Sequence, residues 1–177
     1  LPLAAGVPWR ITQSPNGGFS HWGRTAQAYD IAPQGSRCVV AMRGGIVHAF
    51  DHGYRQTPRL RIFGNYVTIQ HDNGEFRHYA HLEAGTFVVK TGQRVEQGQA
   101  LAMAGNSGYS FGTHLHVQVT RSFAIASQSV PFEFEDLPGS SRKLGVVLSS
   151  NRSPLCDCAK PDRNAVMASV GGAPAVA

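Results

Sequence analysis

No stretch of this 177-residue chain approaches the roughly 18 consecutive apolar residues that mark a membrane-spanning helix, so nothing in it reads as a span. Cysteine is scarce: three are present, an odd count that excludes a complete intrachain disulfide framework. Cys38, in Cys38-Val39-Val40-Ala41, reads as a small buried apolar residue. Cys156 and Cys158 form a single Cys-x-Cys pair, weak support for a metal site without a second pair. Acidic residues number 11 against 16 basic ones, which gives a net charge of +5. That balance favours anionic partners. The basic residues are scattered, however, and lack the interleaved aromatics of a strand-tracking groove, so nucleic acid is set aside. Helical signal is nearly missing; only Phe123 to Ser129 is a candidate, and it has no caps. Aromatics stop at Phe134, since all 16 lie at or before it. A segment without them, rich in Ser, Gly, Pro and Ala, does not build a core of its own. The expected division is therefore a domain over 1–137 and a low-aromatic C-terminal tail over 138–177, expected to be flexible. Leu144 to Leu148 is the one part of that tail expected to add an edge strand.

What the chain does have is glycine and proline, 20 and 10 residues, separating short apolar runs. That pattern predicts a turn-rich, all-β fold. Asn65 to His71 and Glu75 to His81 read as a hairpin turned at Asn73-Gly74, a strong two-residue signal. Arg37 to Met42 and Gly45 to Ala49 read as another, around Arg43-Gly44. Phe87 to Lys90, Arg94 to Val95 and Leu101 to Ala104 read as short strands. The stretches 35–47 and 92–105 share a loose glycine-valine-glycine pattern that suits two β-turn-β units facing each other. The alternating, valine-rich run Gly112 to Val119 reads as a strand, which Val117 to Thr120 continues. Because residues i and i+2 share a face, His114 and His116 project into one site with Leu115 and Val117 packing behind. By the same rule Tyr79 and His81 are expected on one face and His78 on the opposite one. His71 and His78 read as structural, His48 and His52 as surface residues. Tyr66, Tyr79 and Tyr109 are expected to shape a cleft or to pack.

A pair of neutral imidazoles on a rigid strand suits metal ligation or general base chemistry. His21, Asp30 and His81 sit at the edges of other predicted strands or turns. Several histidines and one aspartate so placed are the parts of a catalytic zinc site, in which three protein ligands leave a fourth position for water. Matching elements run in order from Gln13 to His21, through Tyr29-Asp30-Ile31-Ala32-Pro33-x-Gly35, Val40-Ala41 with Gly45-x-Val47, and Gly64-Asn65-Tyr66-Val67. They continue with Tyr79-Ala80-His81-Leu82, Gly92-x-x-Val95-x-x-Gly98-Gln99, and Gly105-Asn106-Ser107-Gly108 leading into His114-Leu115-His116. In this order and spacing, about residues 1–134 resemble the lysostaphin-type, or LytM-domain, zinc endopeptidases.

The resemblance implies a curved, mostly antiparallel sheet forming a groove flanked by loops. It implies one zinc ion per chain, held by His21, Asp30 and His116, with His81 and His114 as catalytic histidines that do not ligate. The spacing of nine from His21 to Asp30 is longer than in many members, and Trp22 to Gln27 resembles a longer first loop. The implied activity is hydrolysis of peptide cross-links in bacterial peptidoglycan, reached from the periplasm or outside the cell. Leu1 in place of methionine suggests a processed or trimmed form, and Leu1 to Gly6 fits the apolar first strand of this family. Two other readings stay beside it: a non-catalytic binding or activating module of the same fold, and a lipoyl-like β-sandwich carrier. The carrier lacks an exposed lysine at a hairpin tip and leaves five placed histidines unexplained.

Overall fold

The structure is a computed structural model that describes residues 1–55, 62–135, 145 and 147–148. The domain boundary expected at 137/138, and the Cys156-x-Cys158 pair, fall outside those residues. Its elements are almost all strands: β1 (Trp9–Gln13), β2 (Tyr29–Pro33), β3 (Cys38–Val40), β4 (Gly45–Phe50), β5 (Asn65–Gln70), β6 (Phe76–Leu82), β7 (Arg94–Val95), β8 (Ala100–Met103), β9 (Leu115–Thr120), β10 (Ser129–Val130) and β11 (Val147–Leu148). The only helical element among the described residues is a 3₁₀ turn over Gly23–Thr25, and no helix there is long and apolar enough to cross a membrane. Residues 123–128 are irregular and lead into β10, which begins at Ser129, in line with the missing caps.

The main sheet runs in the order β11-β1-β2-β9-β6-β5-β4-β7, with β10 also on β9, and all these pairings are antiparallel. β5 and β6 form the hairpin turned at Asn73-Gly74, where Gly74 takes φ 79°. The edge strand expected in 144–148 is present as β11, paired with β1. One side of the sheet carries Ile11, Tyr29, Ile31, Val47, Val67, Ile69, Tyr79, Leu115 and Val117, all fully buried, into a single core. There the Tyr79 hydroxyl oxygen accepts the Met42 N–H at 2.8 Å.

The expected hairpin of 37–42 with 45–49 does not form. β3 leaves the main sheet to pair with β8 in a second, two-stranded sheet, while β4 pairs with β5 and β7. Gly45 explains the crossing: a Cβ at that position would stand 2.3 Å from the Gln70 carbonyl oxygen. The bare glycine lets the chain slip between sheets instead of turning back on itself. The two glycine-rich units do face each other, through β3 with β8 and β4 with β7. Residues 87–90 pass without strand pairing, a second departure from the sequence reading.

Cys38 is buried as expected, but it is disulfide-bonded and not a free thiol. Its burial follows from β3, whose residues are buried throughout. The chain's other cysteines, at 156 and 158, lie outside the described residues.

Candidate metal centre

The side of the sheet away from the core carries the histidines. Register places Gln13 opposite Asp30, Asp30 opposite His116, and His116 opposite Ala80, so one row crosses β1, β2, β9 and β6. His21 reaches the same point from the loop between β1 and β2. Ligand atoms of His21, Asp30 and His116 all lie within 4.8 Å of one another, and all three residues are buried. Asp30 Oδ1 is 2.9 Å from His116 Nδ1 and 3.2 Å from His21 Nε2, while Oδ2 is 3.8 Å from His114 Nε2. The His81 ring centroid is 4.6 Å from that of His114 and 5.8 Å from that of His116. All five residues singled out in the sequence thus meet in one place.

Two β-bulges make this possible, and neither was legible from alternation. Between Ile11 and Gln13, β1 has one residue more than β2. Ile11 therefore stays in the core while Gln13 turns to the site. β6 likewise has one residue more than β5 between Tyr79 and Leu82, and His81 there adopts φ 61°. Its N–H donates to Phe63 O, and its own carbonyl accepts from the Gly105 N–H. A left-handed non-glycine residue is uncommon and costs on the order of 1–3 kcal/mol, a strain typical of functional sites. The expectation that Tyr79 and His81 share a face is therefore wrong: the bulge re-aims His81. The opposite placement of His78 fails for the same reason. His78 lies in register with Thr68 and Gln118 on the site side of the sheet. It is nonetheless structural, as expected, since its two nitrogens are bonded to Thr68 Oγ1 and Thr120 Oγ1, each at 2.8 Å.

Each site imidazole is oriented through its outer nitrogen. His21 Nδ1–H donates to Ser14 O, His81 Nδ1–H to Ser107 O and His114 Nδ1–H to Gly112 O. His116 Nε2–H donates to Gln118 Oε1, whose amide nitrogen in turn donates to Ile125 O. Carbonyl oxygens only accept, so each contact fixes a tautomer and leaves the inner nitrogen with a lone pair. Gln13 Nε2 donates to Asp30 Oδ2 at 2.8 Å, which leaves Oδ1 as the free carboxylate oxygen. Three acceptors, His21 Nε2, His116 Nδ1 and Asp30 Oδ1, then converge with no hydrogen between them. The buried His21 Nε2 has no hydrogen-bond partner. Such a set repels itself unless a cation sits among it, and two nitrogens with one oxygen suit a borderline-soft divalent ion.

The electrostatics agree. Burial pushes the Asp30 carboxyl up, but the contacts with His116 and His21 outweigh it and hold the group well below the usual carboxylate range. Burial pulls His116 down, yet Asp30 and Gln118 outweigh that and raise it, so the site calls for positive charge at this nitrogen. Burial, aided by the neighbouring imidazoles, lowers His81 to about 3, so it is a neutral base at ordinary pH. Gln118 was missed in the sequence although the i, i+2 rule that pairs His114 with His116 extends to it. Ser14, Ser107 and Gly112 act through backbone oxygens, for which side-chain patterns carry no signal. Of the expected structural histidines, His71 is buried with Nδ1 2.7 Å from Gly44 O. Of the expected surface pair, His52 is exposed, whereas His48 is partly covered by Phe123 at 4.8 Å between ring centroids.

The model of Peptidase family M23 matches residues 24–130, which include Asp30, His81, His114 and His116 and begin just after His21. Among curated proteins, the peptidoglycan DD-endopeptidase ShyC of Vibrio cholerae is 46% identical over 87 residues, 49% of this chain and 20% of that protein. The peptidoglycan DD-endopeptidase ShyA of the same organism is 36% identical over 87 residues, covering 49% of this chain and 18% of its own length. The glycyl-glycine endopeptidase ALE-1 of Staphylococcus capitis is 38% identical over 73 residues, covering 40% and 20%. The matched segments thus span a fifth or less of these relatives. In three dimensions, the catalytic domain of the prophage-encoded M23 protein EnpA from Enterococcus faecalis aligns with a TM-score of 0.54 at 20% identity. That alignment covers 70% of this chain and 88% of EnpA's, a likeness of fold.

Proposed function

The chain belongs to peptidase family M23, and from that premise we propose that it is a zinc-dependent endopeptidase acting on the peptide cross-links of bacterial peptidoglycan, in the periplasm or outside the cell. The observation that carries the reading is the convergence of three lone pairs at His21 Nε2, His116 Nδ1 and Asp30 Oδ1, each set by an outer hydrogen bond. The names of ShyA and ShyC supply the substrate class.

In this reading His21, Asp30 and His116 hold one zinc ion. The ion supplies a Lewis acid that lowers the pKa of water toward neutrality. His81, neutral and with its inner nitrogen bare, accepts the proton released when water attacks the amide carbon. His114 also faces the site with a bare Nε2, 3.8 Å from Asp30 Oδ2, where a proton gained by the imidazole meets an opposite charge. Once protonated, either imidazole can hydrogen-bond the developing oxyanion and pass its proton to the leaving amine, which departs as the C–N bond breaks. Both begin as acceptors, so proton capture precedes proton donation.

The filled ligand set favours an active enzyme over a binding module of the same fold. Elemental analysis of the purified protein should find about one zinc per chain. Mass spectrometry of fragments released from cell walls of defined cross-link should then identify the bond cut. A folded, unchelated protein without zinc and without released fragments would leave only the binding module.

A further inference from the structure

Large apolar side chains crowd the mouth of the metal centre in full view of solvent. Phe19 is 67% exposed, Trp22 72%, Phe111 75%, Ile62 59% and Tyr109 40%. Phe19 and Phe111 come from different loops yet meet edge to face with centroids 5.7 Å apart, and Phe111 meets Tyr109 at 5.1 Å. The Tyr109 N–H donates to Ile62 O, which joins a third segment to the same ridge. Scattered exposed apolar residues need no explanation, but a contiguous ridge drawn from three segments does.

The ridge is tied to the catalytic groups. Phe19 precedes Ser20, whose N–H donates to Gln13 Oε1, and Gln13 holds Asp30. Phe111 lies between Ser110, 3.2 Å from His114 Nδ1, and Gly112, whose carbonyl orients that ring. Trp22 follows His21 directly. Whatever rests on this ridge therefore rests at the rim of the site. A membrane or a separate protein seated there would obstruct the approach of a polymer to the metal centre. The substrate's own non-peptide part would not.

On the reading that the site cuts peptidoglycan peptides, we propose that this ridge is a saccharide-binding subsite. It takes the N-acetylated hexose rings of the glycan strand from which the cut peptide hangs. A hexose ring offers a flat face of C–H bonds, and aromatic rings are the side chains that cover such a face while leaving the hydroxyls in water. The ridge supplies Phe19, Tyr109 and Phe111 for this contact, with Ile62 at its end and the exposed Trp22 three residues along the chain from Phe19.

Two measurements test the proposal separately from the hydrolase reading. In the first, β-1,4-linked N-acetylglucosamine tetramer is titrated into the full-length protein and followed by NMR and Trp22 fluorescence, with no turnover involved. Shifts should concentrate on residues 19, 22, 109 and 111, and Phe111→Ser or Phe19→Ser should weaken binding about three- to tenfold, the range expected for losing one aromatic contact. In the second, the zinc-loaded protein is given a cross-linked peptide dimer with and without its disaccharides. The sugar-bearing dimer should have the lower KM, and Phe111→Ser should raise that KM several-fold more than the KM for the bare dimer. The two residues are exposed, so unchanged thermal unfolding should accompany both variants; Tyr109→Ser serves if either fails to fold. Absence of tetramer binding, or equal losses on both dimers, overturns the saccharide subsite, the latter in favour of a peptide contact. Anionic phospholipid vesicles that bind the wild type but not Phe111→Ser would overturn it in favour of a lipid surface. Tetramer binding without cleavage of either dimer keeps the subsite and sinks the hydrolase reading.

Discussion

At the residue scale, the roles of the five site residues separate by what their loss removes. Asp30→Ala and His116→Ala should each lower the zinc content of a folded protein. His81→Ala and His114→Ala should keep zinc and lose about 10²–10⁴ in turnover, the usual effect of removing a general acid–base group. Turnover and zinc content measured on one preparation decide it, and zinc loss from His114→Ala with retention in His116→Ala would reverse the pair. Gln118→Leu removes the acceptor that fixes the His116 tautomer, together with the bond Gln118 donates to Ile125 O. It should weaken zinc affinity about 10–100-fold, the usual effect of losing such an outer partner, as read by competition with a chromogenic chelator. His78 gives a pH signature of its own. Burial lowers it from 6.5 to about 3 in the folded chain, so between those values the unfolded state binds a proton that the folded state does not. Stability is therefore complete above pH 6.5 and should fall with a slope contribution approaching about 1.4 kcal/mol per pH unit as the pH drops toward 3. Urea titrations at pH 7, 6 and 5 should show that fall, and His78→Gln should flatten part of it. An identical slope in the variant would show that His78 does not titrate this way.

At the scale of elements, the split between what alternation reveals and what it hides follows the bulges. The pairs His114–His116 and Leu115–Val117 lie outside any irregularity, and the two-residue period placed them correctly. Tyr79 and His81 straddle a bulge, and the same period wrongly gave those two one face and set His78 on the face opposite His81. An inserted residue leaves no mark in hydrophobic pattern, since it changes backbone geometry and not composition. The turn at Asn73-Gly74 was legible because it needs a left-handed backbone angle that glycine takes freely, as Gly74 does with φ 79°. The departure of β3 was not, because Gly44-Gly45 fits a turn and a close crossing equally well in sequence. The crossing makes its own prediction. Gly45→Ala would drive a methyl against the Gln70 carbonyl oxygen. It should cost about 1–3 kcal/mol, as overpacking does, and lower the urea midpoint with little change in slope. An unchanged midpoint would mean that β4 and β5 can part without loss.

On the scale of the whole molecule, the sheet extends past the proposed domain end at 137. β11 pairs with β1, the strand that carries Gln13. Removal of 149–177 keeps that pairing, and removal of 138–177 deletes it. Both truncations should bind zinc and retain most turnover, since every proposed site residue precedes 134, but the longer cut should unfold at lower temperature. A longer cut that loses zinc would move the domain boundary beyond β11. The disulfide at Cys38 adds a covalent check. Peptide mapping without reductant should recover Cys38 in a disulfide-linked peptide; recovery of Cys38 as an alkylated free thiol would contradict the bond.

The place of β9 bears on how the protein is made. β9 lies between β2 and β6 and carries His116, 86 positions after Asp30 in the chain. A polypeptide that has emerged only to residue 110 holds His21 and Asp30 but has neither the third candidate ligand nor the strand that joins the two halves of the sheet. Closing the sheet and completing the candidate metal centre are thus one event, and it waits for β9. A chain without β9 lacks the complete centre, so the compartment in which β9 pairs with β2 and β6 is the one in which the proposed activity would begin.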